Sequence, residues 1–482
     1  MRLSAATLAG LPAGLPAPRD RGEIGVGIVH FGPGAFHRAH QAAYVDALLD
    51  DDPRWGIAAV SMRSRDTVEA LARQDGLYTL AIRDAEPSYR VIRAHRRFLG
   101  PGDAAETLAL LADPATGMVT TTVTEKGYCL APGGTLDVAH PDIVHDLARP
   151  AVPASVVGWI VAGLAARRDR GLAPFGVLPC DNLASNGTKI RAALIAFARA
   201  IDDALADWIA AQADVRSTMV DSITPAADAA LGRDVTAALG GLVDDAPVQR
   251  EAFTQWVIED NGRPLGPDLA RAGATLTADV AGFERAKLRI LNGAHSTLAY
   301  AGLLRGHASV AEAMRDDALA SFVDTMIRRD IAPMLPPVPG LDPDAYRASV
   351  LERFRNPGIV HRLDQIAQDG SQKLPYRLGD TLAANRAAGR LPVHVIAALG
   401  CWIAFIMARA REAATIVDPK AERLAEVGRC GDPATAARVL AAEAIGFLPA
   451  LAADTPTVAA IGAAAAAAHA GRWEQLFTGA CQ

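Results

Sequence analysis

An amine, an amide and an imidazole, those of Lys287, Asn292 and His295, lie within nine residues of the sequence. In an α-helix these positions stand at i, i+5 and i+8, with offsets of roughly 140° and 80°, so the three side chains can converge on one cleft. A desolvated lysine can have its pKa lowered until it acts as a base, which arginine cannot do. The segment therefore predicts acid–base chemistry. The alternative is an amphipathic helix with a solvated lysine and a capped asparagine.

The N-terminal region has the pattern of a nucleotide-binding turn. Residues 24–31 form a β-branched, glycine-spaced apolar run, and Gly32-Pro-Gly34 follows before a predicted helix. The amides of that turn would face a pyrophosphate, and the glycines would let the backbone approach it. The usual nucleotide-binding pattern has a third glycine, which His37 replaces here. The alternative is an ordinary strand-to-helix turn, which can have the same Gly-x-Gly sequence. We assign the cofactor site to Phe31, Gly32, Gly34, Ala35 and Phe36.

A second predicted strand covers residues 56–62, and an acidic residue after such a strand usually binds the adenosine ribose hydroxyls. Asp66 is the candidate. Its carboxylate would repel a 2′-phosphate, whereas the neighbouring Arg65 could pair with one. NAD(H) is therefore the predicted cofactor, with NADP(H) as the alternative.

Strands and helices alternate to about residue 225, after which the pattern becomes mainly helical from about residue 283. Further strands at 118–123 and 175–178 end beside Glu125 and Asn182, and the ends of parallel strands are where such sheets bind ligands. Predicted C-terminal helices include 287–304 and 393–412. The fold class is an α/β Rossmann-like domain with a doubly wound, mostly parallel sheet (1–284), followed by a mainly α-helical substrate and catalytic domain (285–482).

Composition narrows the class of protein. Half of the 482 residues are hydrophobic and 21% are charged, which is typical of a globular enzyme with more than one core. The net charge of −6 argues against nucleic acid as a partner. Five scattered cysteines form no C-x-x-C pair, and neither a signal peptide nor a spanning segment is predicted. We expect a cytoplasmic monomer or small homo-oligomer that binds a small molecule and no membrane.

Lys-x4-Asn-x2-His, at residues 287–295, resembles the active-site signature of the polyol-specific long-chain dehydrogenases, the mannitol dehydrogenase family. Six other stretches resemble that family in its order. They are Ile28 to Gln41, Thr124 to Cys129, Cys180-Asp-Asn182 with Asn186-Gly187, Met219 to Asp221 with Thr224-Pro225, Gln255 to Asp260, and Asp369 to Pro375. One departure concerns the cofactor, because Arg65 stands where NAD-preferring members have glutamate.

The resemblance implies a role for each matched residue. Lys287 would be the base in alcohol oxidation and the acid in ketone reduction, without zinc. Asn292 and Asn182 would hold the alkoxide. His295 would bind a substrate hydroxyl. Asp221 and Glu125 would tune the pKa of the lysine or carry the proton. Three further residues would bind substrate: Lys373, Lys126 and Arg38. Turn-capping or solvated roles are the alternatives for Asp221, Glu125 and Lys373.

Rival chemistries fit the sequence less well. No tyrosine has a lysine four residues later, so the Tyr-x-x-x-Lys pair of short-chain dehydrogenases is absent. His30, His37 and His40 lack acidic or sulfur partners at metal-binding spacing, so no metal site is predicted. A non-catalytic dinucleotide-binding sensor would have no use for the Lys, Asn and His residues together.

Two positions differ between branches of the resembled family. Branches that oxidise neutral polyols resemble Glu-Gly-Gly-Tyr where this chain has Glu125-Lys-Gly-Tyr128. They also carry an arginine eight residues before the loop lysine, where this chain has Gln365. Both features resemble the branch that interconverts D-fructuronate and D-mannonate, in which Lys126 would attract the carboxylate. A mannitol/fructose enzyme with Lys126 in solvent is the alternative.

Overall fold

The computed structural model describes residues 1–18 and 23–478 and divides into two compact units, Met1–Ala281 and Gly282–Gln482. We call them the N-terminal and C-terminal units. The division falls three residues before the boundary expected from the sequence. A parallel sheet in the first unit and helices in the second confirm the predicted fold class.

The strands of the N-terminal unit are short, and most of their residues are buried. They are β1 Val26–Phe31, β2 Gly56–Val60, β3 Tyr78–Arg83, β4 Ser88–Ile92, β5 His95–Leu99, β6 Met118–Thr121, β7 Gly176–Pro179, β8 Thr218–Asp221, β9 Val248–Glu251, β10 Gln255–Glu259 and β11 Thr275–Thr277. The central sheet has the order β5-β2-β1-β6-β7 and is parallel throughout. Two three-stranded sheets, β11-β10-β8 and β4-β3-β9, complete the unit.

The α-helices of this unit pack around its three sheets. They are α1 Ala35–Ala39, α2 Gln41–Asp46, α3 Asp66–Ala72, α4 Ala104–Leu111, α5 Pro141–Ala148, α6 Val156–Asp169, α7 Asn186–Arg199, α8 Asp203–Gln212 and α9 Ala229–Ala238. Alternate side chains of β1 enter different cores: Val29 and Phe31 pack in one cluster, Ile28 in the other. The strand order reverses between β1 and β6, so their carboxyl ends form the switch point at which such sheets bind ligands.

The C-terminal unit is helical. Its α-helices are α10 Val280–Ala286, which begins just before the division, α11 Gly293–Leu304, α12 Val310–Ala313, α13 Asp317–Met326, α14 Pro343–Arg355, α15 Leu363–Ile366, α16 Gly370–Leu374, α17 Asp380–Ala387, α18 Val393–Arg411, α19 Ala421–Gly428, α20 Pro433–Ala442, α21 Thr455–His469 and α22 Trp473–Thr478. The central helix α18 packs against α21 and α11. It is long and apolar enough to cross a membrane, but 72% of its most apolar stretch is buried inside the protein, as expected for a core helix.

Three π-helical segments interrupt the α-helices of this unit, at Lys287–Asn292, Ile327–Ile331 and Pro375–Gly379. The predicted helix over 287–304 is therefore π-helical in its first six residues and α-helical from Gly293. A π-helix bonds residues five positions apart, which stacks Asn292 about one turn from Lys287. The first and third π segments also pack against each other.

Candidate active site

The glycine turn after β1 is tied to the strands on either side. The Gly32 amide donates to the Val60 carbonyl (3.0 Å), and its φ of +90° is a conformation that favours glycine. A Cβ atom on Gly32 would lie 2.3 Å from the Thr122 carbonyl oxygen. A Cβ on Gly34 would meet nothing closer than 3.9 Å. The turn is thus tight at Gly32 and open at Gly34, which fits close approach by a dinucleotide phosphate.

The rest of the predicted cofactor residues line the turn in different ways. Phe31 is fully buried, and the Phe36 ring stacks on the His40 ring at 5.0 Å between centroids. Ala35 begins α1, which has only five residues. The side chains therefore hold the turn, and the open backbone at Gly34 is the part left to face a ligand.

Asp66 and Arg65 follow β2 and have different partners. Asp66 is exposed at the start of α3, and its carboxylate accepts a hydrogen bond from Ser64 (2.7 Å). The Arg65 guanidinium pairs with Asp103 at 2.8 Å and Glu69 at 3.3 Å, and the hydrogen bond to Asp103 raises its pKa. Because Arg65 is already held by carboxylates, the arrangement favours a ribose hydroxyl over a 2′-phosphate beside Asp66.

Three buried imidazoles, those of His30, His37 and His95, form a cluster next to the turn. The His30 and His37 rings stack at 3.3 Å between centroids, and the Nε2 atoms of His37 and His95 lie 3.0 Å apart. His30 also lies 2.7 Å from the Thr120 hydroxyl through Nδ1. Burial lowers the pKa of His30 to about 3 and the pKa values of the other two well below the usual range. The cluster is neutral; His95 was not expected there.

Arg38, predicted to bind substrate, has structural partners. Its side chain is 8% exposed and donates to the backbone carbonyls of Pro33 (3.2 Å) and Ala246 (2.5 Å). The guanidinium also lies over the Tyr78 ring at 5.7 Å. These contacts favour a role in holding the N-terminal unit together, and they lend no support to substrate binding.

The end of β7 carries a hydrogen-bonded network around Asn182. Asp181 accepts from the hydroxyl of the buried Tyr128 and from the Leu183 amide (2.9 Å), and burial raises the pKa of its carboxyl. Asn186 bonds both the Pro179 carbonyl (3.1 Å) and the Thr218 backbone. Asn182 itself is exposed between these anchors. Tyr128 and Asp181 were not singled out from the sequence, although both stand inside matched motifs.

The other predicted residues of this unit sit at strand ends. Asp221 is the last residue of β8, where it is 5% exposed and in register with Gln255 of β10. Glu125 and Lys126 begin a 3₁₀ turn after β6, and both are exposed. A carboxylate and an ammonium group are therefore presented at one turn.

In the C-terminal unit, the predicted Lys-Asn-His residues lie on the first π segment and the helix that continues it. Lys287 and Asn292 are the ends of that segment, and His295 lies in the first turn of α11. His295 is 6% exposed, packs on Phe354 (4.4 Å between ring centroids) and meets His361 edge-on (4.8 Å). Its Nε2 atom is buried and has no hydrogen-bond partner. A polar group of a ligand would satisfy it.

The short helix α16, which carries Lys373, is firmly anchored. Ser371 bonds Asp418 through both its amide (2.9 Å) and its hydroxyl (2.5 Å). Gly370 is required, because a Cβ there would lie 2.5 Å from the Tyr300 hydroxyl. The Lys373 ammonium donates to the Gln368 carbonyl (2.9 Å), and its pKa is lowered by burial and then by Arg377. Lys373 thus lies on a helix and not on the loop expected from the sequence, and its ammonium group is held by the Gln368 carbonyl rather than free in solvent.

Cations surround His295 that sequence reasoning did not single out. Burial lowers the pKa of His295 well below its usual range, and His361, Arg353 and Arg377 lower it further, in that order. Arg377 donates to the Ser296 hydroxyl (3.0 Å). The only signal in the sequence was that Arg377 stands four residues after Lys373.

One group of potential metal ligands occurs in the part of the chain that the structure describes: Cys129, His140 and Asp142. Burial and nearby carboxylates raise the pKa of the Cys129 thiol to about 11. The Nδ1 atom of His140 already accepts a hydrogen bond from the Asp142 amide (3.2 Å). Neither condition favours a thiolate–imidazole metal centre, and the expected absence of a metal stays a prediction.

A parallel sheet with a glycine turn at its switch point, followed by a helical unit that bears lysine, asparagine and histidine, defines a Rossmann-type dehydrogenase. A sequence profile of the mannitol dehydrogenase Rossmann domain matches residues 26–268, and one of the mannitol dehydrogenase C-terminal domain matches residues 279–466. The chain belongs to the mannitol dehydrogenase family of oxidoreductases, as its motifs predicted.

Relatives agree on the family and differ in substrate. The chain is 40% identical to D-mannonate oxidoreductase of Escherichia coli (strain K12) over 84% of this chain and 86% of that protein. It is 39% identical to mannitol 2-dehydrogenase of Cereibacter sphaeroides over 83% and 84%. Mannitol 2-dehydrogenase of Pseudomonas fluorescens, solved with NAD and D-mannitol, is 34% identical with a TM-score of 0.81 over 99% of each chain. The predicted cofactor, NAD(H), is confirmed by this relationship.

Proposed function

We propose that this protein is a fructuronate reductase, an NAD(H)-dependent enzyme that interconverts D-fructuronate and D-mannonate. Two observations distinguish this from a neutral-polyol enzyme: Lys126 in the Glu-Lys-Gly-Tyr turn, and Gln365 in place of an arginine. Both side chains are exposed. Overall identity does not decide the substrate, because the mannonate and mannitol relatives are almost equally similar.

Lys287 is the proposed acid–base group. Oxidation of a secondary alcohol releases a hydroxyl proton, which a neutral amine accepts, and reduction returns that proton from the ammonium group. Its place at the start of the π segment supports this role, because such irregular turns often occur at functional sites. NAD(H), when bound, accepts or supplies the hydride.

The amides of Asn292 and Asn182 are the proposed donors to the developing alkoxide. Uncharged donors suit this task, since they stabilise negative charge without competing for the proton. The neutral His295 would bond a substrate hydroxyl through its unpartnered Nε2 atom. Asp221 and Glu125 are assigned to proton transfer or to tuning of the lysine. Zinc takes no part in this scheme.

We infer that the protein acts in the cytoplasm on a small sugar acid, as a monomer or a small homo-oligomer. A mannitol 2-dehydrogenase that acts on D-mannitol and D-fructose is the second candidate. The similarity to mannitol 2-dehydrogenases over most of the chain favours it. A non-catalytic sensor is a remote third, because the Lys, Asn and His residues are all present.

The deciding measurement is kcat/KM for D-fructuronate against D-fructose, with NADH in one buffer. We expect the ratio of kcat/KM for D-fructuronate to that for D-fructose to be well above one, because a cation near the substrate stabilises the bound carboxylate. A ratio below one contradicts the hexuronate assignment and favours the mannitol/fructose enzyme. Activity with neither ketose, in a protein that still binds NADH, would favour the sensor.

A further inference from the structure

We propose that Arg377 binds the substrate carboxylate and is a specificity-determining residue. The inference rests on the proposed hexuronate function. It differs from the sequence interpretation, which gave the carboxylate to Lys126 alone. The residues involved, Arg377 and those around His295, all lie in the C-terminal unit, and their contacts are made inside that unit.

Arg377 lies beside the segment that carries Asn292 and His295. Arg377 lies in the π segment Pro375–Gly379, which packs against the segment that begins with Lys287. Its carbonyl oxygen would lie 3.1 Å from a Cβ on Gly293, the residue after Asn292. Its guanidinium donates to the Ser296 hydroxyl (3.0 Å), beside His295. The backbone of Arg377 therefore lies against Gly293, and its side chain contacts Ser296, the residue after His295.

The positive charge of Arg377 has no counter-ion among the described residues. Arg377 is only partly exposed, and no carboxylate in the described part of the chain lies within ion-pair distance of it. The charged groups that act on its neighbours are Lys373 and Arg353, together with Asp369, which pairs with Lys373 at 3.4 Å, and Asp418. Burial of a positive charge without a counter-ion is costly, so the region is built to receive an anion.

The Arg377 guanidinium has hydrogen-bond donors that the described residues do not use. A guanidinium offers five N–H donors in a planar fork that matches a carboxylate, and Arg377 spends one of them on Ser296. The Nε2 atom of His295 lacks a partner in the same neighbourhood. A carboxylate on the guanidinium with a hydroxyl on the imidazole would satisfy both, and an open-chain hexuronate has both groups. A neutral polyol supplies only the hydroxyl.

The test compares Arg377→Gln and Arg377→Lys with the native enzyme, using D-fructuronate and D-fructose. Loss of a charge-assisted hydrogen bond should lower the fructuronate-to-fructose ratio of kcat/KM by roughly 10- to 100-fold for Arg377→Gln, mainly through KM. Arg377→Lys keeps the charge without the fork and should fall between. Arg362→Gln is the matched control, because Arg362 is exposed and paired with Asp364 on the same unit. It should leave the ratio unchanged.

An equal fall for both ketoses in Arg377→Gln would overturn the inference, since a structural role affects both substrates alike. An unchanged ratio would overturn it too. Failure of the proposed function is separate, because it shows in the native ratio alone. In that case inhibition of fructose reduction by D-mannonate still tests the residue: Arg377→Gln should weaken inhibition, and undiminished inhibition would contradict carboxylate binding.

Discussion

Each unit contains a group of neighbouring imidazoles, all buried except the partly buried His361, and the two groups are built differently. In the N-terminal unit, His30, His37 and His95 stack on or bond one another. In the C-terminal unit, His295 and His361 meet edge-on, and the Nε2 atom of His295 has no partner. Burial keeps both groups neutral, since it is the largest cause of each lowered pKa.

The difference separates structure from ligand binding. A buried polar atom that already has its partner stabilises the fold, whereas one without a partner is costly unless a ligand supplies it. In the histidine cluster beside the glycine turn, His30 bonds Thr120 and His37 bonds His95, although the Nδ1 atoms of His37 and His95 also lack a partner. His295 differs in that arginines lie around it, so a ligand that reaches its Nε2 atom can also carry negative charge. Substitutions near His295 should therefore change catalysis more than stability, and those in the cluster should do the reverse.

The largest expected effect is that of Lys287→Ala. Loss of the acid–base group should lower turnover by about 10²- to 10⁴-fold while NADH still binds. Steady-state rates with a fluorescence titration of NADH separate the two effects. For the native enzyme, alcohol oxidation should rise with pH as the amine deprotonates. Near-native turnover of Lys287→Ala would end the assignment.

The second prediction concerns the stability of the N-terminal unit in acid. The folded pKa values of His30, His37 and His95 lie below that of an exposed histidine, near 6.5. Below that pH the unfolded chain binds protons that the folded chain excludes, so stability is complete above pH 6.5 and is lost as pH falls. For each of these histidines, the free energy of unfolding falls by up to about 1.4 kcal/mol per pH unit until the pH reaches the pKa of the folded state.

Denaturant unfolding at pH 7 and pH 5.5 measures this loss. His95→Gln should have a shallower pH dependence, because one titrating group has been removed. The exposed His469 offers a control, since His469→Gln removes an imidazole that water already surrounds. Equal slopes for native protein and His95→Gln would contradict the prediction.

The smallest expected effect is a change of cofactor preference in Asp66→Ala. Removal of the carboxylate takes away repulsion of a 2′-phosphate, and we expect a shift toward NADP(H) of about tenfold in kcat/KM. Arg65 is held by Asp103, so it should add little affinity for NADPH. A native enzyme that already prefers NADPH would show that Asp66 does not have this role.

The fold could be predicted because its signals are local. The apolar run before Gly32 and the alternation of strands and helices follow from residues close in sequence. The partners of Arg38 and His37 could not be predicted in this way. Ala246 is 208 residues from Arg38, and His95 is 58 residues from His37. A motif shows that a residue is present, but only the fold shows whether its hydrogen bonds are already used.

The same limit applies to the candidate site. The Lys-Asn-His spacing could be found in the sequence, but its geometry could not, because periodicity analysis assumes α-helical turns. Arg377 was missed since one arginine among many carries no signal. The role we propose for it depends on the lack of a carboxylate within ion-pair distance among the described residues, which is a property of the folded unit.

The π-helical turn at Lys287–Asn292 makes chain length itself part of the site. Removing a single residue there would let the backbone return to ordinary α-helical bonding, and everything after it would rotate by about 100°. His295 would then leave its place beside Phe354. Point substitutions keep this spacing whereas insertions and deletions change it, so the four residues between Lys287 and Asn292 fix the separation of the two proposed site residues.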